Sequence, residues 1–138
     1  MRYLIDTNIL IFAIIDKQFI DKNVTAILDN YENTIFVSSS SIFEIFHLFQ
    51  NGRISTKIKT AKDLLKTIEV EYNIKVLHSK KEHFETFAKL PNVKNHNDPI
   101  DRIIISQSIT ERIPLISSDG KFKEYEDLDF IYNDKKAR

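Results

Sequence analysis

Residues 98–119 read Asp98-Pro99-Ile100-Asp101-Arg102-Ile103-Ile104-Ile105-Ser106-Gln107-Ser108-Ile109-Thr110-Glu111-Arg112-Ile113-Pro114-Leu115-Ile116-Ser117-Ser118-Asp119. Asp98 is suited to cap a helix, Pro99 to its first position and Asp101 to its third, so the stretch predicts a helix reaching Arg112. Pro114-Leu115-Ile116-Ser117 then predicts a strand. From Asp101 to Arg112 the helix travels about 16 Å at 1.5 Å per residue. From Pro114 to Asp119 the strand returns about 16 Å at 3.3 Å per residue. The lengths match, so Asp119 is expected level with Asp101.

The same alternation extends outward from this unit. Residues 2–5 predict a strand, 7–14 a helix, and Val24, Ile27 and Leu28 a helix near 21–30. Thr34-Ile35-Phe36-Val37 predicts a strand, and the Ser38–Ser41 cluster opens a helix to about Gln50, closed by Asn51-Gly52. Ala61, Leu64, Leu65, Ile68 and Tyr72 keep helical spacing. Ile74–Leu77 predicts a strand, about 80–90 a helix, and Asp129–Tyr132 a last strand. Strands alternating with helices predict an α/β domain with a mainly parallel sheet of about five strands. Ligands of such sheets bind outside the carboxyl ends of the strands. Asp6 lies at such an end.

Bulk properties narrow the class. The 138 residues suit a single domain, 1–138, with 10 Phe and 5 Tyr to fill its core and only 2 Gly and 3 Pro for linkers. Tyr3 and the Phe residues are expected in that core. With no cysteine, disulfides and thiolate metal sites are excluded, which suits the cytoplasm. The longest apolar stretch, Leu10–Ile15, is far short of the roughly 20 residues that span a bilayer, and the N-terminus does not read as a signal peptide. Twenty basic and twenty acidic residues cancel, so any nucleic-acid surface must come from their distribution. Lys135, Lys136 and Arg138 form a short basic tail over about 134–138. Lys59, Lys62 and Lys66 share a helical face near Lys80-Lys81, either a solvated face or a strip that guides RNA.

Four acids carry the functional reading. In a parallel sheet the level shared by Asp101 and Asp119 is also that of Asp6. Glu44 follows the second strand, opposite the stripe of Ile42, Ile45, Phe46 and Phe49. With Phe43 and Leu48 its helix is apolar nearly all round, which suggests a further contact: a dimer partner or a peptide of another protein. Each acid also has a purely structural reading. Asp6 can cap a helix, Ser41-Ile42-Phe43-Glu44 fits a capping box, Asp98 and Asp101 suit a helix start, and Ser118-Asp119-Gly120 suits a turn. Gathered together, however, carboxylates raise one another's pKa. The usual remedy is a divalent cation, and oxygen ligands suit Mg²⁺ or Mn²⁺. Such ions activate water and stabilise in-line phosphoryl displacement. His47, His78, His83 and His96 lack zinc-site spacing, and none is assigned as a ligand.

Asp6-Thr7-Asn8, Glu44, His96-Asn97-Asp98-Pro99-Ile100-Asp101-Arg102 and Ile116-Ser117-Ser118-Asp119 together resemble the signature of PIN-domain nucleases, most closely VapC-type toxins of type II toxin–antitoxin systems with an HxDPxDR block. The resemblance covers essentially the whole chain. It implies a three-layer α/β/α domain and a Mg²⁺- or Mn²⁺-dependent endoribonuclease that leaves 5′-phosphate and 3′-hydroxyl ends. The family's four acids fall on Asp6, Glu44, Asp101 and Asp119. Asp98 lines the site or only caps its helix, and Asn8 and Ser117 match positions that hydrogen-bond within it. The implied partners are RNA, a cognate antitoxin and a second copy of the chain. Arg102 either reaches an RNA phosphate or makes a surface ion pair. Departures are Ile100 for a more usual Phe, Ser106 and Ser108 for Ala, and Ser118 for a frequent Arg. The alternative from another class is a PIN-like module that holds RNA or protein without cutting.

Overall fold

The computed structural model describes residues 1–53, 58 and 60–136. Lys59 and Arg138, from the basic strip and the tail, lie outside the described residues. The elements in chain order are β1 (Arg2–Ile5), α1 (Thr7–Ile15), α2 (Lys22–Asp29), β2 (Thr34–Ser38), α3 (Ser39–Gln50), α4 (Ala61–Lys66), β3 (Ile74–Leu77), α5 (Lys81–Ala88), α6 (Pro99–Glu111), β4 (Leu115–Ser117) and β5 (Phe130–Tyr132). Thr67–Glu71 prolongs α4 as a π-helical turn. Short 3₁₀ turns lie at Lys17–Phe19 and Gly120–Glu124.

The five strands pair in parallel in the order β3-β2-β1-β4-β5. β1 is therefore central, and the chain leaves it in one direction for β2 and β3 and in the other for β4 and β5. The β1/β4 seam is the topological switch point, where an open sheet of this kind forms its ligand crevice.

Strand periodicity builds a core on each face. Tyr3, Ile5, Ile35, Val37 and Ile116 pack with Ile9 and Leu10 of α1, Val24 of α2, Ile42 and Ile45 of α3 and Leu64 of α4. Leu4 and Leu115 face the other way, onto Ile104 and Ile105 of α6 and onto Phe122, Tyr125 and Leu128. The result is three layers, α/β/α. α5 is fastened to α6: the Lys80 amide donates to His83 Nδ1 (2.9 Å), so His83 Nε2 donates to Glu111 Oε2 (2.9 Å).

Local sequence sets the helix ends. Asp98 Oδ1 accepts from the Ile100 amide at 2.9 Å, with Pro99 as the first helical residue. α3 closes at Gly52, at φ +69°, where the Gly52 amide bonds Phe49 O and the Arg53 amide bonds Leu48 O. That pair is a Schellman motif, and glycine adopts its left-handed turn without penalty. Ser106 and Ser108, where alanine was the comparison, are buried, with hydroxyls on the carbonyls of Arg102 and Ile113.

Two expectations are corrected. The capping box at Ser41–Glu44 does not form. The helix already starts at Ser39, capped by Ser38, and the Ser41 hydroxyl accepts from Thr7 Oγ1 at 2.8 Å. The phenylalanines are also not uniformly core: Phe122 is fully buried, whereas Phe43 and Phe84 are 75% and 64% exposed.

Asn133 ties the β4/β5 edge to the rest of the fold. It is fully buried; Oδ1 accepts from the Asp21 amide, and Nδ2 donates to Phe19 O and Ser118 Oγ, all at 2.8 Å. Its backbone amide bonds Ser117 O at 2.8 Å. Replacing it by alanine leaves the Asp21 amide and Phe19 carbonyl unpaired, so Asn133→Ala is expected to lower stability by about 2–4 kcal/mol. Urea unfolding should show a lower midpoint at an unchanged slope. A loss under about 1 kcal/mol would mean that water replaces these bonds.

Candidate functional site

Asp6 leaves the end of β1 and caps α1, its Oδ1 accepting from the Ile9 amide at 2.9 Å. The cap reading and the site reading of this residue therefore coexist. Asp6 is 5% exposed. The Ser117 hydroxyl, at the end of β4, bonds the Asp6 carboxylate and accepts from the Asp119 amide at 3.0 Å. One fully buried serine thus joins two acids across the switch point.

Asp119 follows β4. Its Oδ1 accepts from the Lys121 amide at 3.0 Å, and its Oδ2 lies 3.6 Å from His96 Nε2. Asp101, in the first turn of α6, has its Oδ2 3.3 Å from the same nitrogen. The matched helix and strand lengths therefore do return Asp119 to the level of Asp101. Glu44, half-buried on α3, reaches the cluster electrostatically, since its charge acts on both Asp6 and Asp101. The Thr7–Ser41 hydroxyl bond locks the start of α1 to α3 one turn before Glu44.

The electrostatics record the crowding. Burial pushes the Asp6 carboxyl up to about 6, opposed by the Ser117 hydroxyl and the Ile9 amide and reinforced by Asp119 and Glu44. Burial likewise pushes Asp101 up to about 7, with Asp98, Asp6, Glu44 and Asp119 all adding to the rise. A divalent cation is the group that relieves such a set. The donors fit one: several carboxylate oxygens, and a buried imidazole nitrogen, His96 Nε2, without a hydrogen-bond partner.

The remaining candidates separate. Asp98 is exposed and caps α6, while its charge still raises Asp101. Asn8 is exposed beside Asp6, with no side-chain hydrogen bond among the described residues. Arg102 does not make the surface ion pair that was one of its two expected contacts. Its Nη1 donates to Pro91 O (3.0 Å) and to Tyr125 Oη (3.2 Å), and Nη2 reaches Leu90 O (3.5 Å). The guanidinium braces the 90–91 loop, and no ion pair to it occurs among the described residues. Lys62, Lys66, Lys80 and Lys81 are exposed. Ser118, in place of a frequent arginine, is bound to Asn133.

Sequence reading quoted His96 in the family block without giving it a role, and did not single out Tyr125. His96 is 4% exposed, and its Nδ1 lies 2.7 Å from Tyr125 Oη. Zinc-type spacing does not report on a residue that meets its neighbours through the fold. Its place five residues before Asp101 was the usable signal. A tight turn presents it: the His96 amide bonds Val93 O at 3.1 Å, and Asn95 sits at φ +63°, a conformation asparagine tolerates.

The Asp101 shift has a direction that can be measured. Its carboxyl ionises near 3.8 when unfolded and near 7 when folded, so between those values the folded state holds the extra proton. Stability from this group is complete below the lower value and lost as pH rises through the upper one. In EDTA, Asp101→Asn is therefore expected to match the wild type near pH 4 and exceed it by roughly 1–3 kcal/mol near pH 8. Urea unfolding at both pH values tests this. An advantage that does not grow with pH would contradict the crowding.

A family model described as the PIN domain matches residues 3–128. Among solved structures, the chain resembles VapBC2 from Rickettsia felis bound to a DNA fragment from its promoter, with a TM-score of 0.71 and 21% identity over 97% of this chain and 100% of that one. It also resembles VapBC-1 from nontypeable Haemophilus influenzae, with a TM-score of 0.68 and 20% identity over 96% and 98% of the two chains. DNA-bound VapBC from Salmonella typhimurium aligns with a TM-score of 0.70 and 16% identity over 96% and 98%. At these identities the likeness is one of fold. No curated protein matches the sequence. The family match runs from β1 to the residues just before β5, and the chain belongs to the PIN-domain family.

Proposed function

We propose that this PIN-domain protein is a divalent-metal-dependent endoribonuclease, the toxin of a toxin–antitoxin pair, acting on RNA in the cytoplasm. The observation that carries the reading is the mutual crowding of Asp6, Glu44, Asp101 and Asp119 at the β1/β4 switch point. Pure binding gives no reason to collect four carboxylates where Asp119 and Glu44 oppose the ionisation of Asp6 and Asp101.

In this reading the four acids hold Mg²⁺ or Mn²⁺, directly or through water. The cation supplies an activated water and neutralises charge on the phosphoryl group during in-line displacement. The protein supplies position. Asp6 is fixed by the Ile9 amide and the Ser117 hydroxyl, and Asp119 by the Lys121 amide, which leaves its second oxygen toward the cluster. Hydrolysis then leaves 5′-phosphate and 3′-hydroxyl ends. The likeness to VapBC complexes supports an antitoxin partner. Phe43, exposed on α3, offers an apolar anchor for that antitoxin or for a second copy of the chain.

Induction of the wild type is expected to arrest growth, and Asp6→Asn to relieve the arrest. Asparagine keeps the cap, so circular dichroism should show a folded variant. Loss of about 3 kcal/mol of transition-state stabilisation corresponds to RNA cleavage slowed roughly 100-fold. Cleavage by this variant at the wild-type rate would sink the mechanism. Purified wild type should cut RNA with Mn²⁺ and stop with EDTA, and sequencing the new ends should find 5′-phosphates. Folded protein that binds RNA but cuts it under no divalent ion would instead support the non-cleaving module.

A further inference from the structure

The acid cluster contains one donor that is not an acid. We propose that His96 supplies a nitrogen ligand, through Nε2, to the divalent cation of this site. The inference rests on the cation-centre reading above and adds a ligand to it.

The imidazole is 4% exposed, and its Nε2 is buried without a hydrogen-bond partner, although carboxylate oxygens of Asp101 and Asp119 lie 3.3 and 3.6 Å away. His83 shows what an imidazole N–H does beside an acid in this same fold. With Nδ1 occupied by the Lys80 amide, its Nε2 makes an aligned bond of 2.9 Å to Glu111. His96 makes no such bond to either neighbour. An Nε2 that carries a lone pair accounts for the difference, because a lone pair facing two carboxylates has no partner until a cation joins them. The spacing agrees. Ligand atoms each about 2.0–2.2 Å from a shared divalent ion stand roughly 3–3.5 Å apart.

The other side of the ring is built for this role. Nδ1 lies 2.7 Å from Tyr125 Oη, which also accepts from Arg102 Nη1 at 3.2 Å. In the tautomer with hydrogen on Nδ1, the Tyr125 oxygen accepts from His96 as well as from Arg102, and Nε2 keeps the lone pair. A ligating histidine usually gives its second N–H to such an oriented acceptor, which fixes the tautomer. Tyr125 is 2% exposed, and its ring packs edge-on to His96 with centroids 5.4 Å apart. Arg102, Tyr125 and the turn at Asn95 are thus positioning groups for one nitrogen.

A nitrogen among oxygens favours Mn²⁺ or Co²⁺ over Mg²⁺. The test is electron spin-echo envelope modulation on the full chain loaded with Mn²⁺, prepared without a histidine tag. Directly coordinated ¹⁴N should modulate the wild-type echo and vanish in His96→Gln. Titration should show Mn²⁺ binding weakened about 10–100-fold in that variant, with a smaller loss for Mg²⁺. Wild type that binds Mn²⁺ without ¹⁴N modulation, or modulation that persists in His96→Gln, overturns the His96 assignment and leaves the cation reading standing. Wild type that binds no Mn²⁺ at all overturns both.

Discussion

A carboxylate that is 5% exposed at the end of the central strand is the constraint around which this molecule is arranged. Leaving Asp6 ionised there opposes desolvation and the nearby charges of Asp119 and Glu44. The fold answers with local dipoles. The first amides of α1 face Asp6, the start of α6 lies under Asp101, and the Lys121 amide meets Asp119. These offset only part of the cost, as the carboxyls of Asp6 and Asp101, still raised to about 6 and 7, record. The remainder is the driving force for a cation.

Topology explains why the acids meet where they do. β1 is flanked on both sides by parallel strands, so its carboxyl end lies at the switch point. β4 enters beside it and carries Ser117, which bonds Asp6 with its hydroxyl and receives the Asp119 amide. Asn133 holds that strand end in place from β5. The geometry of the site is therefore a property of strand register rather than of flexible loops.

Much of this was legible in the residues. Asp98-Pro99 and the apolar runs fixed the helix and strand from 98 to 117 to within about a residue, because caps and periodicity are local signals. Alternation gave the α/β class and the mainly parallel sheet, and the family resemblance implied the three layers. The Ser41 error arose because four serines in a row offer four starting points, and only packing against Thr7 chooses among them. The carbonyl partners of Arg102 at 90 and 91 were not foreseen, because they belong to a loop whose path no periodicity reports. His96 and Tyr125 escaped for the same reason: 29 residues of chain separate them, and only the closed sheet brings them to 2.7 Å.

The position of β1 in the strand order also governs when the site can exist. The strand that carries Asp6 is completed on one side by β2 and on the other by β4, more than a hundred residues later. Until Leu115–Ser117 docks, Asp6 has no Ser117 hydroxyl, Asp119 is absent, and the acids of α3 and α6 have no common point. Without β4 the four acids are not brought together, whatever helices have formed. Opening of the β1/β4 seam alone parts Asp6 from Ser117 and Asp119, with every helix left in place.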